Sequence, residues 1–105
     1  MATFYNRIVK NVNTSEITAV TSTIDSTVVL SILAANTNGT TATDVTVRRL
    51  SGATDEGYLG YTVVVPADAT VDLLANKYIL PSGRKLNVSS SISGSLDIQI
   101  SYVEI

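Results

Sequence analysis

Acidic side chains crowd together at Asp55 with Glu56 and at Asp68 with Asp72, the first places in this chain to look for chemistry. A calcium ion asks for about six to eight oxygen ligands with several carboxylates converging, and neither pair has further ligands at matching spacing. Both read as solvated loop residues. Asp44 and Asp97 could form a glycosidase-type carboxylate pair from distant positions, but nothing in the sequence favours that pairing over another. Gly52, Gly57 and Gly60 lack the lysine and the following helix of a phosphate-binding loop and read as turn glycines. The chain has neither histidine nor cysteine, which removes the commonest general base, the commonest metal ligand and the thiolate nucleophile together. The sequence therefore predicts a protein that is not an enzyme, uses no cofactor or metal, and works by binding.

Tyr5, Tyr58, Tyr61, Tyr78 and Tyr102 are five of the six aromatic residues. Tyrosines on a sheet stack on sugars or anchor protein interfaces, and they also serve as half-buried strand residues with a wet hydroxyl. Tyr58 and Tyr61 have opposite parities, so a regular strand turns at most one of them inward. Seven basic against nine acidic residues give a net charge of −2, which lacks the basic excess of a nucleic-acid-binding surface. The longest apolar run, Val28 to Ala35, is broken by Ser31 and is too short to span a membrane, and the first residues have no signal-peptide pattern. Asn13, Asn38 and Asn87 begin glycosylation sequons, which a serine- and threonine-rich chain produces by chance.

The elements that must position any binding residue are strands. At 105 residues the chain reads as a single domain, 1–105, able to bury one core. Short segments rich in Val, Ile, Thr and Tyr alternate with clusters of Gly, Asn, Asp, Ser and Pro. They predict eight strands: Phe4 to Val12, Glu16 to Thr21, Thr27 to Ala35, Thr43 to Leu50, Tyr58 to Val65, Thr70 to Leu74, Lys85 to Ser91 and Ser95 to Val103. The last two read as a hairpin around Ser93-Gly94-Ser95. Val71, Leu74, Ala75 and Tyr78 also fit one helical turn. The fold class expected is all-β, an antiparallel two-sheet sandwich, jelly-roll or immunoglobulin-like. Its core is expected from Leu30, Ile32, Val45, Val47, Val63, Leu86, Val88, Leu96, Ile98 and Ile100.

Departures from simple alternation mark candidate interfaces. Val29 and Leu33 oppose the parity of Val28, Leu30 and Ile32, so that strand wants cover on both faces. Val103 and Ile105 fall on the parity of Asp97, Gln99 and Ser101, so either a bulge switches the face or these side chains meet a partner. Phe4 and Ile8 lie on one parity of the first strand, Tyr5 and Val9 on the other, with Arg7 and Lys10 supplying charge. Residues 1–15 are therefore expected to form an arm reaching a neighbouring subunit through Phe4, Tyr5, Arg7, Ile8 and Lys10. The surplus apolar surface at Val29, Leu33, Val103 and Ile105 predicts a homo-oligomer, with a trimer favoured.

One further signal lies in the order of short motifs. An Ala34-Ala35-Asn36-Thr37 strand end, a Val65-Pro66-Ala67-Asp68 turn, Leu80-Pro81-Ser82-Gly83 before Leu86-Asn87-Val88, and the closing Ser101-Tyr102-Val103-Glu104-Ile105 follow one another. Over Thr27 to the end, this order resembles small β-sandwich virion structural proteins of tailed bacteriophages, notably cyanophages. The resemblance implies a non-enzymatic virion part with no catalytic residues to carry over. Such a part would be a capsid decoration or cement protein binding the major capsid protein lattice, made in the host cytoplasm and placed on the capsid surface. A small tail, neck or baseplate component is the alternative within the virion, and a carbohydrate-binding sandwich is the alternative outside it.

Overall fold

Alternation of apolar and polar residues recurs along the chain, and among the described residues every regular element is a strand. The computed structural model describes residues 2–23 and 26–105. Its strands are β1 (Thr3–Val9), β2 (Ile17–Thr21), β3 (Thr27–Asn36), β4 (Thr43–Ser51), β5 (Thr54–Val65), β6 (Thr70–Asp72), β7 (Tyr78–Leu80), β8 (Arg84–Ser90) and β9 (Leu96–Glu104). The Val71 to Tyr78 stretch forms no helical turn: it holds β6, a link and the start of β7, with Leu73 and Leu74 packed against the core.

The pairs are nested. β4 pairs with β5 across a two-residue turn whose first residue, Gly52, has φ +60°, a conformation that costs a residue without Cβ little. Outside that hairpin β3 pairs with β6 and β7, outside these β2 pairs with β8, and outermost β1 pairs with β9, all antiparallel. Pairing of β3 with β9 and of β4 with β8 sews the nested pairs into two sheets, ordered β1-β9-β3-β6 with β7 also on β3, and β2-β8-β4-β5. A long hairpin rolled up in this way is a jelly roll, which resolves the topology that patterning alone left open.

Nesting overturns the expected hairpin at the C-terminus. β8 lies in one sheet and β9 in the other, so Ser91 to Ser95 is a bridge across the sandwich rather than a turn between neighbours. Gly94 at φ +85° bends it, and Val12 O accepts its N–H. The apolar residues of the two strands face each other through the core, a gap of about 10 Å that so short a link can cross. Alternation has the same period in a hairpin and in such an arch, so it could not tell them apart.

Ile32, Val45, Val47, Leu86, Val88, Leu96, Ile98 and Ile100 are fully buried between the sheets, as expected. Val63 is partly buried against them. Leu30 is not in the core. Val29 lies opposite Tyr102 and Ser31 opposite Ser101, so Leu30 is the extra residue of a β-bulge, and the face of the strand switches there. Val29, expected at an interface, is consequently fully buried.

Val9 and Val12 also join the core. Thr3 to Val9 therefore sits on the chain's own sheet, paired residue for residue with β9, instead of reaching away from it. A strand with apolar groups on both sides gains cover here because the rolled hairpin leaves the last strand needing a partner. Met1 lies outside the described residues.

Candidate interaction surface

The outer face of the β1-β9-β3 sheet carries the side chains that alternate away from the core. Register places them in cross-strand rows. Phe4, Val103, Val28 and Ile79 form one row across four strands, apolar throughout. Asn6, Ser101 and Ser31 form the next, in which Asn6 Nδ2 donates to Ser101 Oγ at 3.0 Å. Ile8, Gln99, Leu33 and Asp72 form the third. Directly opposite side chains in an antiparallel pair sit about 5 Å apart, so the first row is a continuous apolar stripe.

Phe4 is 73% exposed and Ile79 62%, whereas Val103 between them is only 8% exposed. Val103 owes its burial to its neighbours on the outer face and not to the core, which resolves the choice posed by its parity: the bulge lies in β3 and β9 itself stays regular. Ile105, also 62% exposed, follows two residues on and is tied to the sheet end by its N–H, which donates to Ser26 O at 3.2 Å. Phe4, Ile8, Leu33, Val103 and Ile105, named from the sequence, are thus brought onto one face. Tyr5 and Arg7 have the opposite parity; the Tyr5 ring stacks on Tyr102 with centroids 5.2 Å apart. Lys10 follows β1 and is exposed. The sequence reading missed Val28, which the bulge moves outward, and Ile79, whose Tyr-Ile-Leu strand before Pro81 was the available signal.

The other outer face carries an ion-paired polar row, with Tyr58, Tyr61 and Val64 of β5 exposed beside it. Thr18, Asn87, Arg48 and Tyr58 form a row across β2, β8, β4 and β5. Arg48 Nη2 donates to Glu16 Oε1 at 2.8 Å and Arg48 Nε to Glu16 Oε2, while Asn87 Nδ2 reaches the same carboxylate at 3.2 Å. The Arg48 guanidinium, with Asn87, holds the Glu16 carboxyl below the ordinary carboxylate range. Asp55 lies 3.5 Å from Arg48 Nη1.

At one side of the sandwich a cleft of about 250 Å³ opens between Arg49, Glu56, Tyr58, Leu59, Leu74 and Tyr78. Its polar groups are engaged with each other: Arg49 Nε donates to Glu56 Oε1 at 2.8 Å, Arg49 Nη1 to Tyr78 Oη at 3.2 Å, and Arg84 Nε to Glu56 Oε1 at 3.3 Å. Arg49 first, then Arg84, lowers the Glu56 pKa. Tyr58 and Tyr61 meet edge to face at 4.7 Å on the rim, both exposed, because β5 bulges there and Thr62 takes φ +47°.

Two further carboxylates serve the backbone. Asp72 Oδ1 accepts from Leu74 N–H and Asp97 Oδ1 from Asn11 N–H. Asp44 is in β4 of one sheet and Asp97 in β9 of the other, each on the parity facing away from the core, so the sandwich separates them. Among the described residues no cluster of three acidic side chains could hold a metal ion, and no helix is long and apolar enough to cross a membrane.

No family model and no curated protein matches the chain. Among solved structures it is similar to the infectious bursal disease virus VP2 subviral particle, with a TM-score of 0.55 and 12% sequence identity over 98% of this chain and 33% of that one. The chain spans about a third of the length of that neighbour. At this identity the likeness is one of fold alone.

Proposed function

We propose that this is a non-enzymatic virion structural protein that packs against another virion protein through the apolar outer face of its β1-β9-β3 sheet. One observation carries it: of the two outer faces, one is laced by ion pairs within the chain, while the other presents Phe4, Val28, Val103 and Ile79 in an uninterrupted row. Exposed apolar patches of this kind mark interaction surfaces. The nested jelly roll and the fold of the capsid neighbour support a place in a virion. Within it, a decoration or cement role on the major capsid protein lattice suits a small sandwich with one dry face better than a tail, neck or baseplate part.

The exposed Tyr58 and Tyr61 beside the Arg49 cleft favour a second reading, carbohydrate binding. Purified particles distinguish the two. Hundreds of copies per particle, lost in a Phe4→Ser/Ile79→Ser variant whose unfolding midpoint is unchanged, are expected of a shell protein. Full occupancy by that variant, or absence of the protein from particles, would overturn the proposal, and retention of a glycan by the isolated domain, lost in Tyr58→Ala, would favour the second.

A further inference from the structure

Sheet edges invite pairing with another chain unless they are short, bulged or covered. In this sandwich β2 is interrupted by a bulge between Thr18 and Val20, β5 by three register shifts, and β6 and β7 are three residues each. β1 alone among the described strands is an edge of seven residues with unbroken register and no proline. Six of its seven residues are exposed.

We propose that β1 pairs antiparallel with β1 of a second copy of this chain about a two-fold axis perpendicular to the sheet, with Asn6 opposite Asn6 of its partner. Side chains opposite each other must share a face, which restricts the register to steps of two. Centred on Asn6, all seven residues pair: Phe4 with Ile8, Tyr5 with Arg7 and Thr3 with Val9, each in both directions. Centred on Arg7, the overlap shrinks and the two guanidinium groups face each other, a like-charge contact that destabilises a ladder. Centred on Tyr5, the overlap again shrinks and Ile8 passes beyond the paired strand.

Arg7 gains most from the chosen register. It has no ion pair or side-chain hydrogen bond among the described residues, and opposite Tyr5 of the partner it meets an aromatic ring that already stacks on Tyr102. On the outer face the apolar row runs on from Phe4 to Ile8 of the second copy, joining the two docking faces into one platform. A self-complementary strand closes with two copies, so this pairing takes the place of the three-fold assembly expected from the sequence.

The chain has no cysteine, so single cysteines report the register. Asn6→Cys should form an intermolecular disulfide rapidly under mild oxidation, because opposed Cα atoms in a ladder are about 5 Å apart, within disulfide reach. Thr3→Cys and Ile8→Cys place their sulfurs on residues offset by about 20 Å and 14 Å from their own copies and should cross-link at least tenfold more slowly. The parent should sediment as a dimer at tens of micromolar. A parent that remains a monomer, or equal cross-linking at all three positions, would overturn the pairing. Both measurements use the isolated protein, so their failure leaves the virion role to be judged by particle occupancy.

Discussion

Tyr5 and Tyr102 lie directly opposite each other across the β1–β9 pair, their rings stacked at 5.2 Å with planes 21° apart. Tyr102 packs on the core and burial raises its pKa, whereas Tyr5 is half exposed. The stack therefore ties an exposed edge strand to the interior. Tyr5→Ala should lower stability by about 0.5–1.5 kcal/mol beyond the apolar area it uncovers, and Tyr5→Phe should keep most of it. Urea unfolding of both variants below the concentration at which copies associate checks this.

Asn36 closes the end of β3. Its side-chain amide donates to Thr41 O at 2.9 Å and to Val65 O at 3.0 Å, while its carbonyl oxygen accepts from Asn38 N–H. Removing these partners strands backbone groups in a site where Asn36 is 4% exposed. Asn36→Ala should cost about 1–3 kcal/mol, and Asn36→Asp, which turns a charged oxygen toward two carbonyls, should cost more. Denaturant midpoints of the two variants give the order.

The bulge at Leu30 makes neighbouring positions unequal. Ile32→Ala and Ile98→Ala remove fully buried side chains and should each cost about 2–5 kcal/mol. Leu30→Ala should cost less than either, since Leu30 stands outside the core cluster. Equal losses at Leu30 and Ile32 in thermal unfolding would place Leu30 inside.

Acid should weaken the fold through Glu16 and Glu56. Both carboxyls have folded-state pKa values below their ordinary 4.5, through Arg48 and Arg49 respectively. Their contribution is complete above the unfolded-state value and is lost as pH falls through the folded-state values, because protons then bind the unfolded chain first. A Glu16→Gln/Glu56→Gln variant should show a shallower fall in unfolding midpoint than the parent as pH is lowered below the ordinary carboxylate value of 4.5.

Strand positions and most of the core were legible because apolar period two survives wherever one face is dry, as at Val45, Val47, Leu86 and Val88. Three features escaped for separate reasons. A bulge adds one residue without any signature in a run as apolar as Val28 to Leu33, broken only by Ser31, so Val29 and Leu30 exchanged roles. The path of β8 into β9 depends on which strands lie between them in space, to which local alternation is blind. The apolar row was half visible: Phe4 and Val103 stood out against polar neighbours, but their meeting with Val28 and Ile79 required the register of four strands.

The pairing of Thr3 with Glu104 joins positions 101 residues apart, and the strand between β1 and β3 is the last of the nine. During synthesis neither β1 nor β3 can find its principal partner until that final segment has left the ribosome. Completion of this sheet must then wait for β9, and contacts this distant in sequence place its rate in the slow regime of about milliseconds to seconds. A nascent chain stalled before Leu96 would hold every strand of the β2-β8-β4-β5 sheet, but its apolar face would lack the β1-β9-β3 sheet that covers it.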